Sequence, residues 1–182
     1  MTKRSDFELS RRSFLEGAVA ISAAVFLPAR GAWSGEGEYQ LGEAAEKAIA
    51  KSPLIYITPL GKDGSESACH AEVWFASDGQ DLLVCTPQDA WRSQAVKRGL
   101  DRARIWVGDF GPWMESDGKY KVGPTLVARS SLLPAGDAAV ERALAVMGEK
   151  YASSGWSKWG PRFRSGLEDG SRVMIRYRPF AA

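Results

Sequence analysis

The chain is poor in the residues that metal and nucleophile chemistry needs. One histidine and two cysteines occur in 182 residues, too few for any familiar ligand set, so no metal site is expected. No G-x-S-x-G, no P-loop and no dinucleotide-binding glycine pattern is present, which argues against those hydrolase and nucleotide-binding readings. No apolar run approaches the ~20 residues of a membrane span. A large charge excess is also missing: the formal net charge is +2. The leader described next accounts for it, with basic Lys3, Arg4, Arg11, Arg12 and Arg30 against acidic Asp6, Glu8 and Glu16. The remainder is formally neutral, so no nucleic-acid partner is implied.

What is present begins at the N-terminus. Ser10-Arg11-Arg12-Ser13-Phe14-Leu15 carries the core of a twin-arginine signal, an address read by a receptor. An uncharged, Ala-rich stretch from Gly17 to Leu27 follows, too short to span a bilayer. Pro28 ends it, and small residues allow cleavage after Gly31 or Ser34. We therefore expect a signal peptide over residues 1–34 and one domain over 35–182. The twin-arginine translocase would be a transient partner, and the expected location is periplasmic or otherwise extracytoplasmic.

The domain reads as many short strands with few helices. Leu41, Ala44, Ala45, Ala48 and Ile49 predict a helix over Gly42 to Lys51. Leu54 to Leu60, Ala68 to Phe75 and Asp81 to Thr86 form an expected antiparallel meander, with turns at Gly61–Gly64 and Ser77–Gly79. A short helix over Ala90 to Leu100 carries Trp91 and Arg92. Strands follow at Arg104 to Val107 and Val122 to Leu133. Asp137 is a predicted N-cap for a helix whose buried stripe is Val140, Ala143, Leu144, Met147 and Tyr151. Ala152 to Gly166 reads as an aromatic-rich loop, with Trp156, Trp159 and Phe163 in core or dimer contacts. Arg172 to Arg178 alternates cleanly and predicts a last strand with Arg172, Met174, Arg176 and Arg178 on its wet or partner-facing side. The expected fold is mainly β with flanking helices, a six-stranded split β-barrel. If Asp78-Gly79 is the hairpin tip, Cys85 lies opposite Glu72 and Cys69 falls on the other face, so both thiols are expected to be free.

The order of these pieces resembles the pyridoxamine 5'-phosphate oxidase-like FMN-binding split barrels. The matching residues are Lys62-Asp63-Gly64, Val73-Trp74-Phe75, Ser77-Asp78-Gly79, Cys85-Thr86-Pro87 and Trp91-Arg92. The resemblance covers roughly Leu41 to Tyr151 and implies a flavoprotein oxidoreductase binding FMN, or alternatively deazaflavin, as a homodimer acting on a small-molecule substrate. Some relatives of this barrel bind haem, a less favoured alternative. Carried over by position, Cys85 and Thr86 flank the phosphate or ribityl chain, and Trp91 and Arg92 fill the phosphate-binding pair. The helix start near Ala90 would add backbone donors. His70, Glu72, Val73 and Trp74 line the ring. Glu72 stands where the family often has proline, and an acid there opposes an anionic ring. No catalytic residue is assigned, because in such sites the cofactor performs the redox step. A non-catalytic flavin- or haem-binding protein and a cofactor-free dimer are the alternatives on the same fold.

Overall fold

The computed structural model describes residues 41–181. The expected twin-arginine leader, residues 1–34, lies outside the described residues. Among the described residues no helix is long and apolar enough to cross a membrane.

The chain opens with α1 (Glu43–Lys51), whose buried Ala45 and Ile49 face the sheet. Seven antiparallel strands follow: β1 (Ile55–Pro59), β2 (Ala71–Val73), β3 (Ala76–Asp78), β4 (Asp81–Pro87), β5 (Arg102–Val107), β6 (Thr125–Leu132) and β7 (Arg172–Pro179). Between them stand α2 (Trp91–Lys97), α3 (Ala138–Lys150) and α4 (Trp156–Glu168). The sheet order is β2-β1-β5-β6-β7-β4-β3. Its two edge strands, β2 and β3, are joined directly by Trp74-Phe75, so the chain itself ties the two edges together. This is the expected split barrel, with seven strands where six were expected. The extra one arises because the run Ala68 to Phe75 does not continue as one strand. It leaves β1 after Val73 and joins β4 at Ala76.

Period-two alternation sorts the side chains. Ile55, Ile57, Leu82, Val84, Ile105 and Ile175 pack inside the barrel, joined by Phe75 and Tyr177. Leu83, Cys85 and Met174 face outward, where α3 and α4 cover them with Leu144, Met147 and Phe163. Met174 therefore sits on a covered face and not a wet one. A third cluster lies on the other outer face, with Tyr56, Trp106 and Tyr120 under the loop that carries Phe110 and Trp113.

Asp137 caps α3 as expected, accepting the Ala139 N–H at 2.8 Å. The segment read as a loop is instead α4. Its glycines, serines and Pro161 read as loop composition, yet Trp156, Trp159, Phe163 and Leu167 recur at the 3-4-4 spacing of a helix. Gly160 is needed there: a Cβ would come within 2.7 Å of the Trp156 ring. The hairpin tip also differs. Asp78 pairs with Asp81 and Ala76 with Leu83, which moves Cys85 two residues beyond its expected partner. Both cysteines are free thiols.

Candidate functional site

β4 and α2 build the site's floor. Ser93 Oγ donates to Pro87 O at 2.9 Å, and Gln94 Nε2 donates to Gln88 O at 2.8 Å. These bonds tie the helix to the end of the strand and fix where Arg92 points. From the other side β7 pairs with β4, Cys85 opposite Met174 and Pro87 opposite Arg172. Arg172 thus arrives beside the same strand end as Arg92. Its guanidinium lies 4.9 Å from the Phe163 ring centre of α4.

Together these elements enclose a cleft of about 360 Å³, within the usual size of small-molecule sites. Glu72, Val73, Trp74, Cys85 and Arg92 line it, as do Arg172, Trp159 and Phe163. Neither Arg92 nor Arg172 has a carboxylate partner among the described residues. The Nε of Arg92 is buried with no hydrogen-bond partner, an arrangement that costs free energy until an acceptor arrives. Glu72 brings the opposite charge, but Oε2 is held back by the Trp113 N–H at 3.1 Å. Burial pushes the Cys85 thiol up to about 11, with Arg172 pulling it back in part. Cys85 is therefore a neutral wall at physiological pH and not a thiolate. Trp74 stacks on Tyr151, ring centres 4.3 Å apart and 4° from parallel, and meets Phe163 edge-on.

Three residues of the expected set lie elsewhere. Thr86 follows Cys85 on β4 and so points to the opposite, inner face, where it is fully buried with Oγ1 unpartnered. Trp91 lies under Arg98, 5.1 Å from guanidinium to ring centre. His70 sits in the third aromatic cluster, with Nδ1 3.0 Å from the Tyr120 hydroxyl. Sequence reasoning missed Arg172. Its signal was the alternation of β7, which groups Arg172 with Met174 on the face shared with Cys85.

A larger cavity of about 430 Å³ lies between α3, α4 and the β6–α3 connection. Leu133, Val140, Leu144 and Leu167 make it apolar, and Glu141 already engages Arg164 through two bonds of 2.9 and 3.0 Å. Arg172 lines both, but only the smaller cleft also holds Arg92, whose buried Nε lacks an acceptor, and that makes it the better candidate.

No protein-family model matches the sequence, and no curated protein matches it. Solved structures do match in fold. HutZ, the haem storage protein of Vibrio cholerae, is 13% identical with a TM-score of 0.54, over 79% of this chain and 93% of that one. A conserved hypothetical protein of Mycobacterium tuberculosis is 14% identical with a TM-score of 0.51, over 81% and 89%. ChuZ of Campylobacter jejuni is 11% identical with a TM-score of 0.51, over 78% of this chain and 55% of that one. At these identities the likeness is one of fold, and the chain is a mainly β split barrel of antiparallel strands with flanking helices, like these structures.

Proposed function

We propose that the protein is an exported oxidoreductase whose β4–α2–α4 cleft binds a phosphate-bearing flavin, FMN or alternatively deazaflavin, in a homodimer. The observation that carries this reading is the pair Arg92 and Arg172. Both line one aromatic-walled cleft and neither has a carboxylate partner among the described residues, and the buried Arg92 Nε lacks an acceptor. A phosphate supplies acceptors to both, and guanidinium forks bind it through parallel hydrogen bonds. The residues present therefore fit the phosphate end of such a cofactor.

When bound, the cofactor would supply the hydride or electron transfer. The chain's part is to place it. Arg92 and Arg172 would hold the phosphate, while Trp159 and Phe163 would exclude water from the cleft. The neutral Cys85 thiol would add no competing charge, and Glu72, tethered to Trp113, would be drawn away from an electron-rich ring. Haem is less well supported, although HutZ is a haem storage protein. The single histidine is engaged with Tyr120 outside the cleft, and Cys85 is held protonated. Export rests on the leader residues Arg11, Arg12 and Gly17 to Leu27, and the dimer on the family resemblance. The alternatives are a non-catalytic binding protein and a cofactor-free dimer.

The test is an absorption spectrum of protein purified from a host with a working twin-arginine pathway that makes the deazaflavin. A flavin or deazaflavin band near one per chain is expected, with reductant-driven turnover separating an enzyme from a carrier. A colourless protein that takes up neither added FMN nor added deazaflavin would overturn the reading.

A further inference from the structure

The only histidine of the chain is absent from the cleft, and its surroundings suit a different task. His70 precedes β2 by one residue and lies on the outer face of the sheet. Trp113, Tyr120 and Trp106 surround its ring, with ring centres 5.7, 6.0 and 6.1 Å away. Tyr120 is nearly fully buried. It stacks on Tyr56 at 4.7 Å and meets Trp106 edge-on at 5.3 Å.

Of the two tyrosines, only Tyr120 faces a base. The Tyr56 hydroxyl donates to Gly111 O at 2.7 Å and accepts from the Phe110 N–H at 2.8 Å. A carbonyl oxygen cannot take up a proton near neutral pH. Tyr120 instead has His70 Nδ1 at 3.0 Å. In the Nε2–H tautomer Nδ1 accepts the phenolic proton, the arrangement that a more acidic phenol beside a neutral imidazole favours. Burial lowers the His70 pKa, Lys121 lowers it further, and Glu66 opposes both. Burial likewise raises the Tyr120 pKa, against the charge of Lys121 and with that of Glu66. Lys121 is itself paired with Glu66 at 2.9 Å, and Arg104 approaches the same carboxylate at 3.6 Å. Both shifts favour the neutral forms, a phenol beside an uncharged imidazole.

We propose that Tyr120 and His70 form a one-electron redox site, in which Tyr120 gives up an electron and its phenolic proton moves to His70 Nδ1. The charge balances. A one-electron oxidant gains the electron, Tyr120 becomes a neutral phenoxyl radical, and His70 becomes an imidazolium. Re-reduction of Tyr120 returns the proton along the same bond. A phenol that has lost an electron is a strong acid, so a base already in hydrogen-bond contact removes the main barrier. Trp113 extends the site toward the cleft, since its backbone N–H is held by the cleft residue Glu72. An oxidant formed in the cleft could be reduced by this route; that link rests on the function proposed above, and the Tyr120–His70 pair does not. Tyr120 is the redox-active residue, and His70 positions and accepts its proton.

The test uses full-length protein without added cofactor, oxidised by flash-generated tris(bipyridine)ruthenium(III), with freeze-quench electron paramagnetic resonance. A neutral tyrosyl signal is expected that disappears in Tyr120→Phe, which keeps the ring packing. Its yield should fall as pH drops through the His70 titration, where Nδ1 is already protonated. His70→Gln keeps a hydrogen-bond acceptor but no base. It should lower the yield by about a hundredfold, the low end of what a positioned base contributes, and abolish the pH dependence. A signal unchanged in Tyr120→Phe would overturn the proposal. So would a wild-type yield independent of pH, or a His70→Gln profile matching wild type. The wild-type pH profile stands even if a variant fails to fold.

Discussion

The Tyr151 hydroxyl accepts the Phe75 N–H at 2.9 Å, across 76 residues of sequence. Its own proton faces Pro53 O at 2.9 Å and Phe75 O at 3.0 Å. This one side chain satisfies the backbone where the chain crosses from β2 to β3, the point at which the sheet's two edges meet. Buried polar backbone atoms at such a break must find partners off the ladder. The last residue of the predicted α3 stripe is therefore the clasp of the barrel.

Tyr151→Phe keeps the ring that stacks on Trp74 and removes the hydroxyl. Leaving buried groups unsatisfied costs about 1–3 kcal/mol, and the loss should appear as a lower midpoint in urea unfolding with an unchanged slope. A variant as stable as wild type would show that the crossing needs no such clasp.

The two thiols should react very differently. Cys85 is 8% exposed and held up to about 11 by burial, whereas Cys69 is half-buried. Only the thiolate is nucleophilic. Iodoacetamide near neutral pH should modify Cys69 alone, and Cys85 only after denaturation, as read by mass spectrometry of peptides.

Lys150 should titrate low. Its ammonium sits 3.3 Å from the Phe75 ring centre, and burial brings its pKa down from 10.5 to about 8. The ring face favours the charged form, but burial prevails. The folded chain thus releases this proton before the unfolded chain does. Stability should rise as pH climbs from about 8 toward 10.5, and the penalty should be constant below about 8. A nitrogen-15 lysine titration by NMR should place the midpoint near 8. A midpoint at or above 10.5 would show that the ring attraction wins.

Legibility followed locality. The α3 cap and the β7 alternation depend on neighbours in sequence, and both were readable. The break at Trp74-Phe75 was not, because Val73-Trp74-Phe75 is a continuous apolar run and the partner that decides it, Tyr151, is far away. The register slipped because placing the turn one residue early moves every pairing by two. α4 hid behind Gly155, Gly160, Pro161 and Gly166, although its aromatic spacing was helical. Of the site, Glu72, Val73, Trp74, Cys85 and Arg92 do line one cleft. Thr86 does not, since adjacent strand residues cannot face the same side. The alternation of β7 puts Arg172 on the face of Met174, but its place beside the cleft comes from pairing opposite Pro87, which the alternation alone does not specify.

The central claim is that Arg92 and Arg172 hold a phosphate-bearing flavin, and an FMN titration of the full-length protein followed by flavin fluorescence tests it most directly. The account predicts saturation at one FMN per chain. Arg92→Ala and Arg172→Ala should each lose a charge-assisted contact of about 1.5–3 kcal/mol, weakening binding by about 10- to 100-fold, with Arg92→Lys in between. No saturable binding of FMN or deazaflavin, or binding that neither alanine variant changes, would contradict it.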